Sequence, residues 1–300
     1  MKPADIERVQ KNIMVVYSPD GGNGKSEIAA NLAFCLARQG KRIWVIDANT
    51  VAPSQDILFH CPGRLPTFAE FLLENKLQEL PAYRLSEFLP GELDAGICLT
   101  PSRREDPELL FRLQELMDHG LDGTRNIPEA IYRKMIHNHI DAVIIDTFPG
   151  FGEINQMFLA IAGFLLIVSR ITDVDLRNLR TLLQDESIMD IQKKLVVFNN
   201  IELDERRQAS PAMENTAMIQ KLSALKCAAD FQPYFDEFRR NSGLQGDGIE
   251  IYDRPFLYSR TLALFGQGTE RRELFVQHAP RDPFSLNIDR LAHHILAANR

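Results

Sequence analysis

Short apolar runs alternate with stretches of helical periodicity along the first two thirds of the chain. Apolar runs bounded by polar residues predict buried strands at residues 13–17, 43–46, 97–99, 142–146, 164–168 and 195–198. Between the first two, apolar residues recur at helical spacing until Gly40, a natural helix stop: Ile28, Ala29, Leu32, Ala33 and Leu36. A βαβ unit of this kind predicts an α/β fold with a doubly wound, mostly parallel sheet flanked by helices.

Local signals predict further helices around these strands. Thr67 and Glu70 have the spacing of a capping box and start a helix that we expect to reach about Leu80. Pro107 and Pro128 each open another helix. These helices would cover the sheet between its strands.

The later part of the chain has weaker signals. A helix capped near Asp173 carries a predicted apolar stripe of Val174, Leu179 and Leu183. The chain is predicted to be mostly helical from Ser210 onward, with a turn-rich piece at residues 243–253 and a final helix from about Ile288. Residues 1–12 predict an N-terminal arm and residues 13–300 a single domain, since no long linker or low-complexity tract interrupts them.

A glycine-rich loop between the first strand and the first long helix carries the main candidate chemistry. It reads Ser18-Pro19-Asp20-Gly21-Gly22-Asn23-Gly24-Lys25-Ser26. Its glycines allow backbone N–H groups to turn towards an anion, and the helix adds the positive end of its dipole. Lys25 would contact the β and γ phosphates and the Ser26 hydroxyl would contact Mg²⁺, as in a P-loop. A strict G-x-x-x-x-G-K-[ST] search misses this loop, because Pro19 holds the first glycine position; the alternative is a glycine-rich turn that binds nothing.

Polar residues at strand ends extend this prediction. Asp146 ends the apolar run that begins at Ala142, where a Mg²⁺-facing acid is expected, although it could instead cap a turn. Asn199 and Asn200 follow the strand at residues 195–198, on the side of the sheet where a base could be recognised. The sequence therefore predicts a nucleotide site at the carboxyl ends of the strands.

Composition narrows the class of protein. The net charge of −7 argues against a surface coated with basic residues, and the interleaved acids favour a mixed solvated surface over a nucleic-acid stripe, although a local basic patch is compatible with nucleic acid. Four cysteines lie far apart without a C-x-x-C pair, which predicts reduced thiols in a cytoplasmic protein. No apolar run reaches the ~18 residues that a transmembrane helix needs.

Taken together, four segments in order resemble the MinD/ParA family of P-loop ATPases with a deviant Walker A motif. They are the glycine loop, Asp47-Ala48-Asn49, the segment from Ile144 to Gly150, and Val196 to Asn199; Ile251-Tyr252-Asp253 and Leu264 to Gly268 also look like the family's C-terminal nucleotide-side loop. The resemblance implies a cytoplasmic protein that binds ATP and Mg²⁺, forms a face-to-face homodimer around the nucleotide, and positions an unknown cargo or regulatory protein.

The resemblance also implies roles for single residues. Phosphate contacts would come from the loop positions Asp20, Gly21, Gly22, Asn23, Gly24, Lys25 and Ser26. Ser26, Asp47 and Asp146 would hold Mg²⁺, and Asp47, Asn49 and Asp146 would form the catalytic positions. Asn199 would recognise adenine, with Tyr252 and Asp253 near the base.

Two departures from the family pattern concern hydrolysis. Asp20 stands where the family has a lysine that reaches the partner's phosphates, and a carboxylate there is repulsive unless it is protonated, turned away or bridged by Mg²⁺. Asn49 stands where the family favours a second acid near the attacking water, and an amide can orient water but cannot take its proton. We therefore expect ATP binding with weak or absent hydrolysis.

Other functions of related proteins stay open. The chain could be an active ATPase of the same family, or an ATP-dependent iron–sulfur reductase component. Cys98 is suggestively placed for a cluster, but residues 146–158 contain no second cysteine. A bacterial tyrosine kinase is less favoured, because the last tyrosine is Tyr258 and the C-terminal tyrosine cluster of that branch is missing.

Overall fold

A computed structural model describes residues 3–63, 65–73, 79–87, 96–103, 107–118, 127–150, 152–201, 248–265 and 273–298. Its strands form one sheet in the order β3-β4-β2-β5-β1-β6-β7-β8. The strands are β1 Ile13–Tyr17, β2 Ile43–Asp47, β3 Tyr83–Arg84, β4 Ile97–Thr100, β5 Ala142–Asp146, β6 Phe164–Ser169, β7 Lys193–Phe198 and β8 Ile249–Ile251. All neighbouring strands are parallel except β3 and β4, which confirms the predicted mostly parallel sheet.

Helices flank the sheet. In the described residues they are α1 Pro3–Gln10, α2 Lys25–Arg38, α3 Gln55–Leu58, α4 Phe68–Leu73, α5 Pro107–Asp118, α6 Ile127–His137, α7 Glu153–Ile161, α8 Asp173–Leu183, α9 Glu186–Met189, α10 Arg260–Phe265, α11 Phe275–His278 and α12 Pro283–Ala298. Among them, none combines the length and the apolar composition that crossing a membrane requires.

The alternation of side chains along β1 shows why helices are needed on both faces. Ile13, Val15 and Tyr17 belong to one hydrophobic core, which includes side chains of α6, α7 and α8. Met14 and Val16 belong to a second core, which includes side chains of α2 and α12. Because successive side chains of a strand point to opposite faces, a uniformly apolar strand requires cover on both sides.

Two helix boundaries differ from the predictions. The capping box of α4 is present, since the Thr67 N–H donates to Glu70 Oε2 at 2.6 Å and the Glu70 N–H donates to Thr67 Oγ1 at 3.2 Å. However, the described helix ends at Leu73, residues 74–78 are outside the described part, and Leu80 is not helical. The final helix α12 begins at Pro283, five residues before the predicted start, because Asp282 Oδ1 accepts the Phe284 N–H and Pro283 suits the first turn.

The apolar stripe of α8 also differs in part from the prediction. Leu179 and Leu183 are buried as expected, together with Leu176, but Val174 is 64 % exposed. Val174 and Leu179 are five residues apart, which places them about 140° apart around a helix of 3.6 residues per turn. Strand β8 lies within the segment predicted to be turn-rich, and the predicted helical segment from Ser210 lies outside the described residues up to residue 247.

Candidate nucleotide-binding site

The glycine loop joins the end of β1 to the start of α2. Gly22 and Gly24 have positive φ angles of 74° and 82°, and Gly24 is the N-cap of α2. The Ser18 hydroxyl braces the loop, because it donates to the Asp20 carbonyl and accepts the Asn23 Nδ2–H at 2.8 Å. The backbone is thus fixed in the conformation that glycine allows and that a phosphate cradle needs.

Asn199 approaches this loop from the end of β7. Its Nδ2 donates to the Asn23 carbonyl at 2.9 Å, and the side chain is buried. A Cβ atom at Gly24 would stand 2.3 Å from Asn199 Nδ2, so a glycine is required there for space as well as for φ. Asn199 therefore lies beside the glycine loop and supports the loop backbone. Its predicted role in adenine recognition stays a prediction.

Lys25 begins α2 and is buried, with 6 % of its surface exposed. Burial lowers the pKa of its ammonium group, while the carboxylates of Asp146 and Asp20 raise it. A cation kept largely out of water next to the helix N-terminus is a strong partner for an anion.

Asp47 and Asp146 lie side by side at the carboxyl ends of β2 and β5, where they are register partners. Burial raises the pKa of Asp47 well above its usual range, the Asp146 carboxylate raises it further, and backbone N–H groups oppose this shift. Asp47 Oδ1 accepts the Asn49 N–H at 3.0 Å, and its Oδ2 accepts the N–H groups of Ser54 at 3.2 Å and Gln55 at 3.0 Å. Asp47 thereby caps the start of α3.

Asp146 is fully buried but keeps one carboxylate oxygen without a protein partner in the described part of the chain. Its Oδ2 accepts a hydrogen bond from Gln55 Nε2 at 2.9 Å, while its buried Oδ1 has no hydrogen-bond partner among the described residues. Burial raises the pKa of Asp146, and the Gln55 amide, the Ser26 hydroxyl and the Lys25 ammonium oppose this. A carboxylate oxygen without a partner near a serine hydroxyl fits the oxygen ligands that Mg²⁺ prefers.

The Asn49 side chain is held by hydrogen bonds within its own loop. Its Nδ2 donates to the Ala52 carbonyl at 2.7 Å, and its Oδ1 accepts the Ala52 N–H at 3.0 Å. Both ends of the amide therefore close a turn in the loop after β2, which corrects the expectation of a side chain free to orient water.

Asp20 has a contact that the sequence did not predict. Its Oδ2 accepts a hydrogen bond from Asn178 Nδ2 of α8 at 2.9 Å. The carboxylate is thus held towards α8, although it remains near enough to Lys25 to raise the pKa of that ammonium. Of the arrangements that would tolerate an acid at this position, the structure shows a carboxylate turned to a protein donor.

A pocket of about 290 Å³ lies beside Gly24 and Asn199. Its apolar lining includes Ile57, Leu58, Leu262 and Phe265. The lining does not include Tyr252 or Asp253, which were expected near the base.

The structure places these two residues elsewhere. Tyr252 is buried in the core, where its ring lies 5.5 Å from that of His294, and Asp253 pairs with Arg254 at 3.9 Å. Tyr252 follows β8 at the edge of the sheet, and its apolar ring packs against α12 instead of reaching the loop. This placement corrects the prediction, because apolar side chains of α3 and α10 line the pocket instead.

We expect Asp146→Asn to stabilise the protein without nucleotide or metal. Because burial raises the pKa of Asp146, its ionisation costs folding free energy, and this cost grows as pH rises from the ordinary value of about 3.9 towards the raised value. The neutral amide of the variant avoids this ionisation cost. Calorimetry at pH 7.5 should therefore show a melting temperature that is higher by ~2–4 °C for each kcal/mol of unfolding free energy gained.

The gain should shrink on acidification towards pH 4.5, where the carboxyl is closer to neutral. Exposed Asp289 provides the control, and Asp289→Asn should change the melting temperature little at either pH value, since its surface pair with His293 contributes only about 0–1 kcal/mol. An Asp146→Asn variant that melts below the parent at pH 7.5 would contradict the prediction.

The loop, the buried lysine and the paired acids on a mostly parallel sheet define the class of P-loop nucleotide-binding proteins. The sequence model of the AAA domain family (AAA_31) matches residues 11–203, so the chain belongs to this family. The fold matches MinD cell division protein of Aquifex aeolicus with a TM-score of 0.60 at 17% identity, covering 95% of this chain and 97% of that one. These findings confirm the predicted resemblance to the MinD/ParA family of P-loop ATPases.

Curated relatives are longer than this chain. A flagellum site-determining protein of Helicobacter pylori is 27% identical over 156 residues, which are 52% of this chain and 47% of that protein. An iron–sulfur cluster carrier protein of Aquifex aeolicus is 26% identical over 229 residues, covering 75% of this chain and 51% of that protein. The chain thus spans about half the length of these relatives.

Proposed function

We propose that the protein binds ATP with Mg²⁺ and acts as a nucleotide-dependent dimeric positioning or scaffold factor with weak or absent hydrolysis. One observation supports this proposal: Lys25 and the glycine backbone lie together at the loop, while both atypical positions are occupied by contacts within the protein. Lys25 and the glycine backbone would form the phosphate cradle, whereas Asp20 accepts a hydrogen bond from Asn178 and Asn49 donates one to Ala52.

The chain's own residues divide the work of binding. The loop N–H groups and Lys25 would hold the phosphates, and Ser26 and Asp146 would hold Mg²⁺ with Asp47 behind them. The metal would offset phosphate charge when bound. Asn199 and the apolar pocket walls of Leu262 and Phe265 suit a flat base, and an amide can pair with the adenine edge.

Weak hydrolysis follows from what the two atypical residues cannot supply. Asp20 brings a negative charge where a cation would stabilise the transition state. The Asn49 amide cannot take a proton from the attacking water, and Ala52 holds it in a turn. Both differences spare ground-state binding. Nucleotide would therefore persist on the protein and set its assembly state.

Dimerisation through the loop face is supported by exposed apolar side chains near the site. Val51 and Ile57, in the loop after β2 and in α3, are 68% and 70% exposed, and Val174 lies in the first turn of α8, the helix that contacts Asp20. A second copy would cover them and remove apolar surface from water. A positioning role is supported by the name of the Helicobacter pylori relative, a flagellum site-determining protein.

Light scattering coupled to a phosphate-release assay tests this proposal. With Mg²⁺ and ATP we expect a doubling of mass relative to the nucleotide-free and ADP states, with phosphate released slowly or not at all. A monomer in all three states would overturn the dimeric role, and rapid phosphate release would overturn weak hydrolysis in favour of an active ATPase.

An iron–sulfur component is the second candidate, favoured by the Aquifex aeolicus cluster carrier relative. Cys98 lies half-buried on β4, and the described residues contain no group of three or more His, Cys, Asp or Glu suited to a metal. Iron content and visible absorbance after anaerobic reconstitution separate this candidate from the first.

A further inference from the structure

Gln55 is a buried amide between the phosphate loop helix and the acid of β5. It is the first residue of α3 and is fully buried. Its Nε2 donates to the Ser26 carbonyl at 3.0 Å and to Asp146 Oδ2 at 2.9 Å. Both N–H groups therefore meet acceptors, and a flipped amide would set an oxygen against a carbonyl and a carboxylate, so the assignment of oxygen and nitrogen follows from the contacts.

Two acceptors at this place have no donor among the described residues. They are Gln55 Oε1 and Asp146 Oδ1, and both are buried. A buried acceptor without a donor is unfavourable and calls for an explanation, which a bound ion or its water can provide. The Ser26 hydroxyl, which lowers the pKa of Asp146, lies at the same place.

We propose that Gln55 is a positioning residue for the hydrated Mg²⁺ of the nucleotide complex. Its Nε2 holds Asp146 so that Oδ1 faces the ion, and its Oε1 accepts a hydrogen bond from a water on the ion. This inference rests on the proposed function, because it requires that Mg²⁺ and nucleotide bind at the loop.

The same residue ties the ion to α3. Asp47 accepts the Gln55 backbone N–H at 3.0 Å while the Gln55 side chain holds Asp146. The ligands of a metal ion are oriented by the groups that hydrogen-bond them, and losing such a group typically weakens metal affinity about 10- to 100-fold. Removing the Gln55 amide should therefore weaken metal binding far more than nucleotide binding.

Asn287 of α12 provides a matched control. Its Nδ2 also donates to two carbonyls, those of Arg254 at 2.8 Å and Pro255 at 3.1 Å, and its Oδ1 also has no partner among the described residues. It is a buried amide of the same kind. Asn287→Leu thus reports the structural cost of losing such an amide outside the site.

The experiment compares the parent with Gln55→Met, Gln55→Asn and Asn287→Leu in the full chain. Mn²⁺ is titrated into each protein saturated with ADP and followed by electron paramagnetic resonance, while ADP affinity in EDTA is measured by calorimetry. We expect both Gln55 variants to weaken Mn²⁺ affinity about tenfold or more with ADP affinity in EDTA unchanged. Asn287→Leu should change neither value. Gln55→Asn keeps an amide but is one methylene too short, so it tests the inference if Gln55→Met does not fold.

The outcomes separate the inference from the function on which it rests. Unchanged Mn²⁺ affinity in a folded Gln55 variant would overturn the positioning role, although the parent still binds Mn²⁺ and ADP. Equal losses of Mn²⁺ and metal-free ADP affinity would also overturn it, since they would indicate a merely structural amide. A parent that binds neither ADP nor Mn²⁺–ADP would overturn the proposed function itself.

Discussion

Lys25→Ala is expected to lower the affinity for Mg·ATP roughly 10- to 150-fold, because a charge-assisted contact contributes ~1.5–3 kcal/mol. Lys25 is buried at the start of α2, so little water competes with a phosphate for its ammonium group. Isothermal titration calorimetry of both proteins with ATP and Mg²⁺ measures the difference directly.

Lys41→Ala controls for the loss of one positive charge. Lys41 follows the C-terminal end of α2 and precedes β2, so it lies at the amino ends of the strands, away from the loop. The substitution should therefore leave ATP affinity unchanged. Since burial lowers the pKa of Lys25, the ammonium is costly to keep charged in the folded protein, and its removal need not destabilise the fold. ATP affinity that survives Lys25→Ala would refute the assignment of the loop as a phosphate site.

Local chemistry made the centre of the site predictable. Parallel strands place their carboxyl ends at one edge, so Asp47, Asp146 and Asn199 could be grouped with the loop before any coordinates. The start of α12 was also accessible, because Asp282-Pro283 repeats the signal of Asp106-Pro107 that opens α5.

The other contacts of the site could not be predicted from the sequence, because they join distant parts of the chain. The pairing of Asp20 with Asn178 joins residues 158 positions apart, and that of Gln55 with Asp146 joins residues 91 apart. Nothing in the composition of the loop after β2 distinguishes Gln55 from a solvated glutamine. The sequence alone allows the Asn49 side chain to face either the site or its own loop. The turn with Ala52 decides between these two orientations.

Reversion of both atypical residues is expected to restore ATP turnover. Asp20→Lys would supply a cation for the transition state, and Asn49→Asp would supply an acid near the attacking water, so the double variant should exceed the parent on the order of 100-fold. Each single reversion should recover little, because groups that act as a unit are strongly non-additive. The ATP turnover of the parent, the two single variants and the double variant is measured as phosphate release at saturating ATP.

The structure indicates why the single changes should fail. An aspartate at position 49 loses the bond to the Ala52 carbonyl and sets a negative oxygen against it, so the side chain gains freedom to leave its turn. That freedom serves catalysis only when a cation also stabilises the transition state. A lysine at position 20 loses the Asn178 contact and gains freedom to leave α8, which serves catalysis only when the water is also oriented.

Asp20→Asn separates the two effects of the first reversion, since it removes the negative charge without adding a positive one. If Asn49→Asp with Asp20→Asn turned over ATP as fast as the double reversion, relief of repulsion would suffice and no lysine would be needed. The double reversion should also strengthen ATP-dependent dimerisation in light scattering, because in the proposed dimer the new cation would reach a partner's phosphates. A parent that already matches the double variant in phosphate release would show that Asp20 and Asn49 do not silence the site, and the cation for the transition state would then have to come from elsewhere in the chain.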